Sequence, residues 1–415
     1  MFDVNRAFHL LEKISFERLG GSKEELKAAE ILMEEIKKEG VEPHLEEFEV
    51  DHSNIKIAEL VIDGKQIPCT GVKMSGSTLE EGIEKELVYI EDGLDVNLMN
   101  VEDKIVLLNG RMILKTYKKL VEKKAAGFIA IGGSVYDDLN NSDLDEMAIR
   151  KVMYENGKIP GVCIRAIHAE EVLVSNPKKA KITLIQEEGK ATSRNVVCEI
   201  KGSLFPNQKI ALTAHYDSVR FSSGAYDNAS GSVGIMELFH HFVKNPPKRT
   251  LVFIWCGSEE MGLLGSRAYC ETHKEELKDF VFCLNVDMIG VVLGKEIACC
   301  TSEMSLVNYI DYLGKEIGIA ISAKQGVYSS DSTPFADNGV PSVSFARISP
   351  QGGAKIHSRL DVIDHLDKNS FSSSLTLMNE FIVRMDNAKV FPVSRVIPDN
   401  MKLELDYYNF RKERP

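Results

Sequence analysis

At 415 residues the chain is too long for one compact core, and a prior of roughly 100–200 residues per domain points to two or three units. Its 50 Lys and Arg stand against 62 Asp and Glu, a formal charge of -12, which excludes the clustered basic surface that a nucleic acid requires and makes small molecules or peptides the expected partners. No apolar stretch reaches the roughly 18 residues of a membrane span, so no membrane partner is expected.

The amino terminus, Met1-Phe2-Asp3-Val4-Asn5-Arg6-Ala7, has no basic leader before an apolar run. A cytoplasmic location is therefore expected, with a trimmed secreted form left open. Val4, Phe8, Leu11 and Ile14 recur at helical spacing, and a second helix opens at Ser22, with Glu25 three residues on as a capping-box pair and Gly40 as its stop. Leu26, Ala29, Leu32, Met33 and Ile36 form the apolar stripe of that helix. From Val41 the texture changes to strand-like runs at 47–50 and 57–62, ahead of the turn Asp63-Gly64, and a β-rich region extends to about residue 190. It takes in runs at 104–108, 127–131 and 159–164 and a helix at 117–126.

After residue 193 strands and helices alternate, the pattern of a sheet covered on both faces. Residues 196–201, 209–214, 250–256 and 281–286 are nearly unbroken apolar runs and read as buried strands. Helices are expected at 231–243, 266–276, 305–317 and 370–385, with a strand at 342–346. The fold class is α/β, a mixed, mostly parallel sheet flanked by helices. The tail 391–415 is charged and aromatic; it docks on the domain or reaches a partner chain, which leaves a homo-oligomer open. Eight cysteines lie scattered, with no Cys-x-x-Cys pair, and read as reduced structural thiols.

Ligands of open α/β sheets bind beyond the carboxyl ends of the strands. There the sequence puts His215 after Ile210-Ala211-Leu212-Thr213-Ala214, Glu259 and Glu260 after Leu251-Val252-Phe253-Ile254-Trp255, and Asp287 after Phe282-Cys283-Leu284-Asn285-Val286. Asp227 and His357 complete a set of two imidazoles and three carboxylates with a spare glutamate, the inventory of a two-metal hydrolase. Each piece alone has a plainer reading: a solvated strand end at His215, an exposed charge pair at Glu259-Glu260, a helix cap at Asp227, a loop histidine at His357. The order carries the chemistry.

In that order, Thr213-Ala214-His215-Tyr216-Asp217-Ser218, Gly224-Ala225-Tyr226-Asp227-Asn228-Ala229-Ser230-Gly231, Cys256-Gly257-Ser258-Glu259-Glu260-Met261-Gly262, Asn285-Val286-Asp287-Met288-Ile289-Gly290 and Ile356-His357-Ser358 resemble the zinc aminopeptidase family of co-catalytic di-zinc exopeptidases. The resemblance covers about residues 1–50 and 190–390. It implies two zinc ions, with cobalt or manganese as substitutes. Asp227 would bridge them, His215 and Asp287 completing one site and Glu260 and His357 the other. Glu259 would be the general base and Asp217 the carboxylate behind the His215 ring. A cis peptide is implied at Asp227-Asn228. Residues 1–50 and 191–390 would form the peptidase domain, 391–415 a C-terminal extension, and 51–190 an insertion that looks like a protease-associated domain.

The stretch from Tyr328 to Phe335 is similar to a segment that lines the substrate cleft, where Asp331 would hold a polar substrate group or cap a short helix. The chain departs from some relatives in having no tyrosine between Pro341 and His357 to stabilise the oxyanion, leaving the metals alone or Tyr328 for that task. The implied activity is removal of the amino-terminal residue of peptides. A carboxypeptidase or deacylase on this scaffold would need an arginine, with Arg347 the candidate; a receptor-like binding protein would have lost ligands, and all are present.

Overall fold

The computed structural model describes residues 2–140, 142–144 and 146–414. The chain divides into two compact units, one formed by Met1–Val50 with Ala191–Pro415 and the other by Asp51–Lys190.

In the first unit, strands Phe205–His215, Arg249–Cys256, Phe280–Val286 and Ser342–Ile348 are mutually parallel neighbours. Their carboxyl ends therefore share one edge of the sheet. Lys179–Ile200 closes one side antiparallel to Arg249–Cys256, in the register Leu251 to Ile200 through Trp255 to Val196. Lys295–Thr301 lies antiparallel to Ser342–Ile348 on the other side and carries the edge strand Ile321–Gln325. Period-two alternation divides the strand side chains between two cores. Val196, Leu212, Phe253 and Phe282 join one with Leu11, Leu32, Phe239 and Phe381 of helices Val4–Ile14, Lys23–Lys37, Ser230–Lys244 and Lys368–Asn387. Val197, Ala211, Val252 and Cys283 join the other with Tyr269 and Phe335 of helices Leu264–Thr272 and Ser332–Asp337.

Asp3 caps the first helix by accepting from the Arg6 N–H at 3.0 Å, and Ser22 caps the second through the Glu25 N–H at 3.0 Å. The second half of the expected capping box is absent: the Glu25 carboxylate turns inward instead. The tail is not a loose extension. Helix Asp399–Tyr408 buries Met401 and Leu405 with Ala336 and Ile397.

The second unit is β-rich, as expected, and its sheet is mostly parallel. Ile83–Tyr89, Ile105–Leu107, Gly127–Gly132 and Gly161–Arg165 are parallel, and Cys69–Gly71 pairs antiparallel at one end. Parallel pairing demands crossovers, and helix Leu114–Glu122 supplies one. Phe128 and Tyr117 centre the core on one side of this sheet, Ile129 and Val162 the core on the other. The two runs at 47–50 and 57–62 prove to be one strand, His44–Ile62. All eight cysteines are free. Among the described residues no helix is long and apolar enough to cross a membrane.

Candidate metal centre

Strand Phe205–His215 delivers His215 to the carboxyl edge, where its ring meets three acids: Nε2 lies 3.2 Å from Asp227 Oδ1, 3.6 Å from Asp287 Oδ1 and 3.9 Å from Glu259 Oε2. Across Asp227, the other oxygen, Oδ2, lies 3.1 Å from His357 Nε2, which is also 3.1 Å from Glu260 Oε1. Two groups able to hold a cation result, His215 with Asp227 and Asp287, and Asp227 with Glu260 and His357. Asp227 is the member common to both.

The backbone around each ligand is held by side chains from distant elements. The Asp227–Asn228 peptide is cis, as the resemblance implied. Asn228 donates to the Val286 carbonyl at 2.9 Å and accepts from the Met288 N–H at 2.9 Å, so it grips the chain on both sides of Asp287. Asp361 accepts from the Tyr226 and Asp227 N–H groups at 2.7 and 3.2 Å. Asp217 lies 3.4 Å from His215 Nδ1 and accepts from the Glu259 and Glu260 N–H groups at 2.9 and 3.2 Å. It thus joins the imidazole to the Glu-Glu turn, a wider role than steadying the ring. Glu259 and Glu260 sit in that turn rather than on an extended strand end, and they face different partners.

Arg18, fully buried, donates to the carbonyls of Tyr216, Phe16, Ser223 and Gly224. Its charge is compensated at longer range by Asp217, Asp361 and Asp227, and burial brings its pKa down to about 10, still well above neutrality. Arg18→Met leaves several buried carbonyls without donors, each costing about 1–3 kcal/mol. The expected loss is about 3 kcal/mol or more of unfolding free energy in urea, with the 216–224 loop loosened first. A change under about 0.5 kcal/mol, the level of a surface substitution, would contradict this.

Desolvation shapes the titration of the centre. Burial, with the repulsion of Glu260, Asp331 and Asp287 behind it, raises Glu259 well above the usual carboxylate range. Burial and Asp227 lift Glu260 to about 7. Asp227 runs the other way: burial opposes its charge, but His215 and His357 outweigh it and hold the carboxyl below its ordinary value. Burial works against a charged His357, yet Asp227 and Glu260 raise it to about 10. Asp287 Oδ1 and Glu260 Oε1 are buried with no aligned donor. Crowded, underpartnered carboxylates beside imidazoles fit a divalent cation, which supplies the missing opposite charge.

The three residues read as substrate-binding fare differently. Asp331 is 1 % exposed and accepts from the Ser266 hydroxyl at 2.6 Å. It stands at the N-cap position of helix Ser332–Asp337 without a side-chain cap bond, and its Oδ2 is buried with no hydrogen-bond partner. The Arg347 guanidinium is committed to the carbonyls of Val291 and Val292 at 2.7 and 3.3 Å and to Glu296 at 3.2 Å. It is no free grip for a substrate carboxylate. Tyr328 is half-buried; burial, followed by the charges of Asp287 and Asp227, raises its hydroxyl well above the usual range. Arg18, Glu25, Asn195, Asn228 and Asp361 went unread as functional, because each acts through backbone atoms remote in sequence.

Residues 195–382 match the family model described as Peptidase family M28. The chain is 27% identical over 382 residues to aminopeptidase YwaD of Bacillus subtilis (strain 168), an alignment spanning 88% of this chain and 81% of that protein. It is 26% identical over 291 residues to carboxypeptidase Q of Mus musculus, spanning 65% of this chain and 61% of that one. Among solved structures, BSAP, a zinc aminopeptidase from Bacillus subtilis, is similar with a TM-score of 0.77 at 23% identity, covering 96% of this chain and 99% of the other. The aminopeptidase from Aneurinibacillus sp. strain AM-1 is similar with a TM-score of 0.74 at 20% identity, covering 92% and 94%.

Proposed function

We propose, from the match of residues 195–382 to peptidase family M28 and the likeness to aminopeptidase YwaD, that this metal-dependent hydrolase of peptide bonds is a two-zinc aminopeptidase. His215, Asp227 and Asp287 would hold one ion, and Asp227, Glu260 and His357 the other. When bound, the zinc supplies an activated water and polarises the scissile carbonyl. Glu259 takes the proton of the attacking water on its carboxylate and returns it to the departing amine. Asp217 keeps the His215 ring and the Glu259 backbone in register, and Asn228 and Asp361 do the same for Asp287 and Asp227.

The observation that carries the choice of chain end is charge. Two divalent ions would hold the surrounding carboxyl groups of Asp217, Asp227, Glu259, Glu260, Asp287, Asp331 and Asp361 in their ionised form, and with Arg18 counted they would still leave the centre net negative. Such a field attracts a substrate α-ammonium and repels a terminal carboxylate. The likeness to carboxypeptidase Q favours the opposite end, but Arg347, the candidate cation for that reading, is engaged elsewhere. The insertion 51–190 is read as a protease-associated domain that limits substrate size.

The test uses one peptide in two blocked forms with the zinc-loaded protein. An N-acetylated peptide should resist cleavage while its C-terminally amidated counterpart is trimmed. Trimming of the acetylated form alone would replace this reading with a carboxypeptidase.

A further inference from the structure

The turn that carries Glu259 and Glu260 has its backbone held residue by residue. The Gly257 N–H donates to Asn195 at 3.2 Å, the Ser258 N–H to Glu25 at 3.1 Å, the Glu259 N–H to Asp217 at 2.9 Å and the Glu260 N–H to Asp217 at 3.2 Å. Four consecutive donors meet side-chain acceptors from three other parts of the chain. Glu25 is the remote one: it lies in the first turn of helix Lys23–Lys37, 233 positions before Ser258, and is fully buried. Its Oε1 also accepts from the Ser193 hydroxyl at 2.7 Å and the Ser258 hydroxyl at 3.3 Å, and Oε2 accepts from the Gly21 N–H at 2.8 Å.

The fit around this carboxylate leaves little slack. A Cβ on Gly257 would stand 2.8 Å from Glu25 Oε1, and one on Gly20 would stand 2.3 Å from the Ser258 hydroxyl. Ser258 itself has a φ of 53°, in the left-handed region that a residue other than glycine adopts only when its surroundings hold it there. The partners gathered on Ser258 are Glu25 and Ser193.

We propose that Glu25 is a positioning residue for peptide hydrolysis, fixing the turn through the Ser258 N–H and hydroxyl so that Glu259 meets the attacking water at the correct distance. The helix that begins at Lys23 thereby belongs to the catalytic apparatus as well as to the core. A general base depends on placement, and a displacement of about 1 Å costs on the order of 100-fold in rate. Glu25 touches no proposed ligand, and His215, Asp227, Asp287 and His357 lie outside the turn, so its loss should displace Glu259 while zinc stays bound. The inference rests on the aminopeptidase reading with Glu259 as base.

The test measures kcat, KM, zinc content and thermal midpoint for the full-length zinc-loaded protein, using whichever amino-acid anilide the wild type cleaves fastest. Glu25→Ala should lower kcat by about 100-fold, with KM within about twofold of wild type and zinc content unchanged. Glu25→Gln keeps an acceptor for the Ser258 N–H, giving up the Gly21 N–H bond at the other end of the group, and should recover kcat to within about threefold of wild type. Should Glu25→Ala fail to fold, Glu25→Asp decides; it keeps a carboxyl group but falls one methylene short of Ser258, and about a tenfold loss of kcat is expected. Wild-type kcat in the folded alanine or aspartate variant, or a loss that appears only as lower zinc content, overturns the proposal. If Glu259→Gln leaves activity untouched, the aminopeptidase mechanism fails and the positioning role falls with it. If Glu259→Gln abolishes activity while the Glu25 variants keep kcat, only the positioning role fails.

Discussion

Replacing Glu259 by glutamine is expected to lower kcat by about 10²–10⁴-fold, equivalent to about 3–5 kcal/mol of transition-state stabilisation, with KM little changed. The substitution preserves side-chain volume and removes only the capacity to accept a proton. Glu259 belongs to neither three-residue group able to hold a cation; its nearest imidazole atom, His215 Nε2, is 3.9 Å away. Zinc content should therefore stay at the wild-type value. Relieving one of the crowded carboxylates whose repulsion raises Glu259 and its neighbours should also make the metal-free protein no less stable. Steady-state kinetics with metal analysis on the same sample checks both halves. Retained activity would remove Glu259 from the chemistry, and lost zinc would make it a ligand.

Asp227→Ala is expected to have the largest effect on metal binding. Asp227 faces His215 with one oxygen, at 3.2 Å, and His357 with the other, at 3.1 Å. Both candidate groups lose a member in this one substitution. Asp287→Ala removes a ligand from one group only. Zinc retained after dialysis should fall from two per chain to near none for Asp227→Ala, with no hydrolysis detectable, while Asp287→Ala keeps an ion at the Glu260 and His357 side. Metal-bound ligands behave as a unit, so the activity losses of the two variants are not additive. Equal zinc loss from both would contradict the bridging role.

The candidate site was legible because three apolar strands end abruptly in metal-competent residues, a pattern local enough to be seen along the chain. The sheet edge was less so. Lys295–Thr301 opens on Lys295 and Glu296, and the edge strand Ile321–Gln325 alternates exposed Ser322 and Lys324 with its apolar residues. In residues 51–190 the runs at 104–108, 127–131 and 159–164 were legible as strands, but their parallel pairing was not, because which strand lies beside which leaves no periodic signal along the chain. What holds the site in place was out of reach for a different reason. Arg18 meets Gly224 across 206 positions and Glu25 meets Ser258 across 233, and both bind backbone groups, which leave no residue-type signature at the far end. At Ser22 and Glu25 the capping-box pattern gave half of the answer: the serine caps the helix, and the glutamate leaves it for the catalytic turn.

The most direct test of the account is the anomalous difference density of a zinc-soaked crystal at the zinc absorption edge. The expected result is two peaks on either side of Asp227, one among His215, Asp227 and Asp287 and the other among Asp227, Glu260 and His357, with Glu259 outside the coordination of both. A single peak, a peak coordinated by Glu259, or density elsewhere in the chain would contradict the assignment of the five ligands and with it the proposed role of the base.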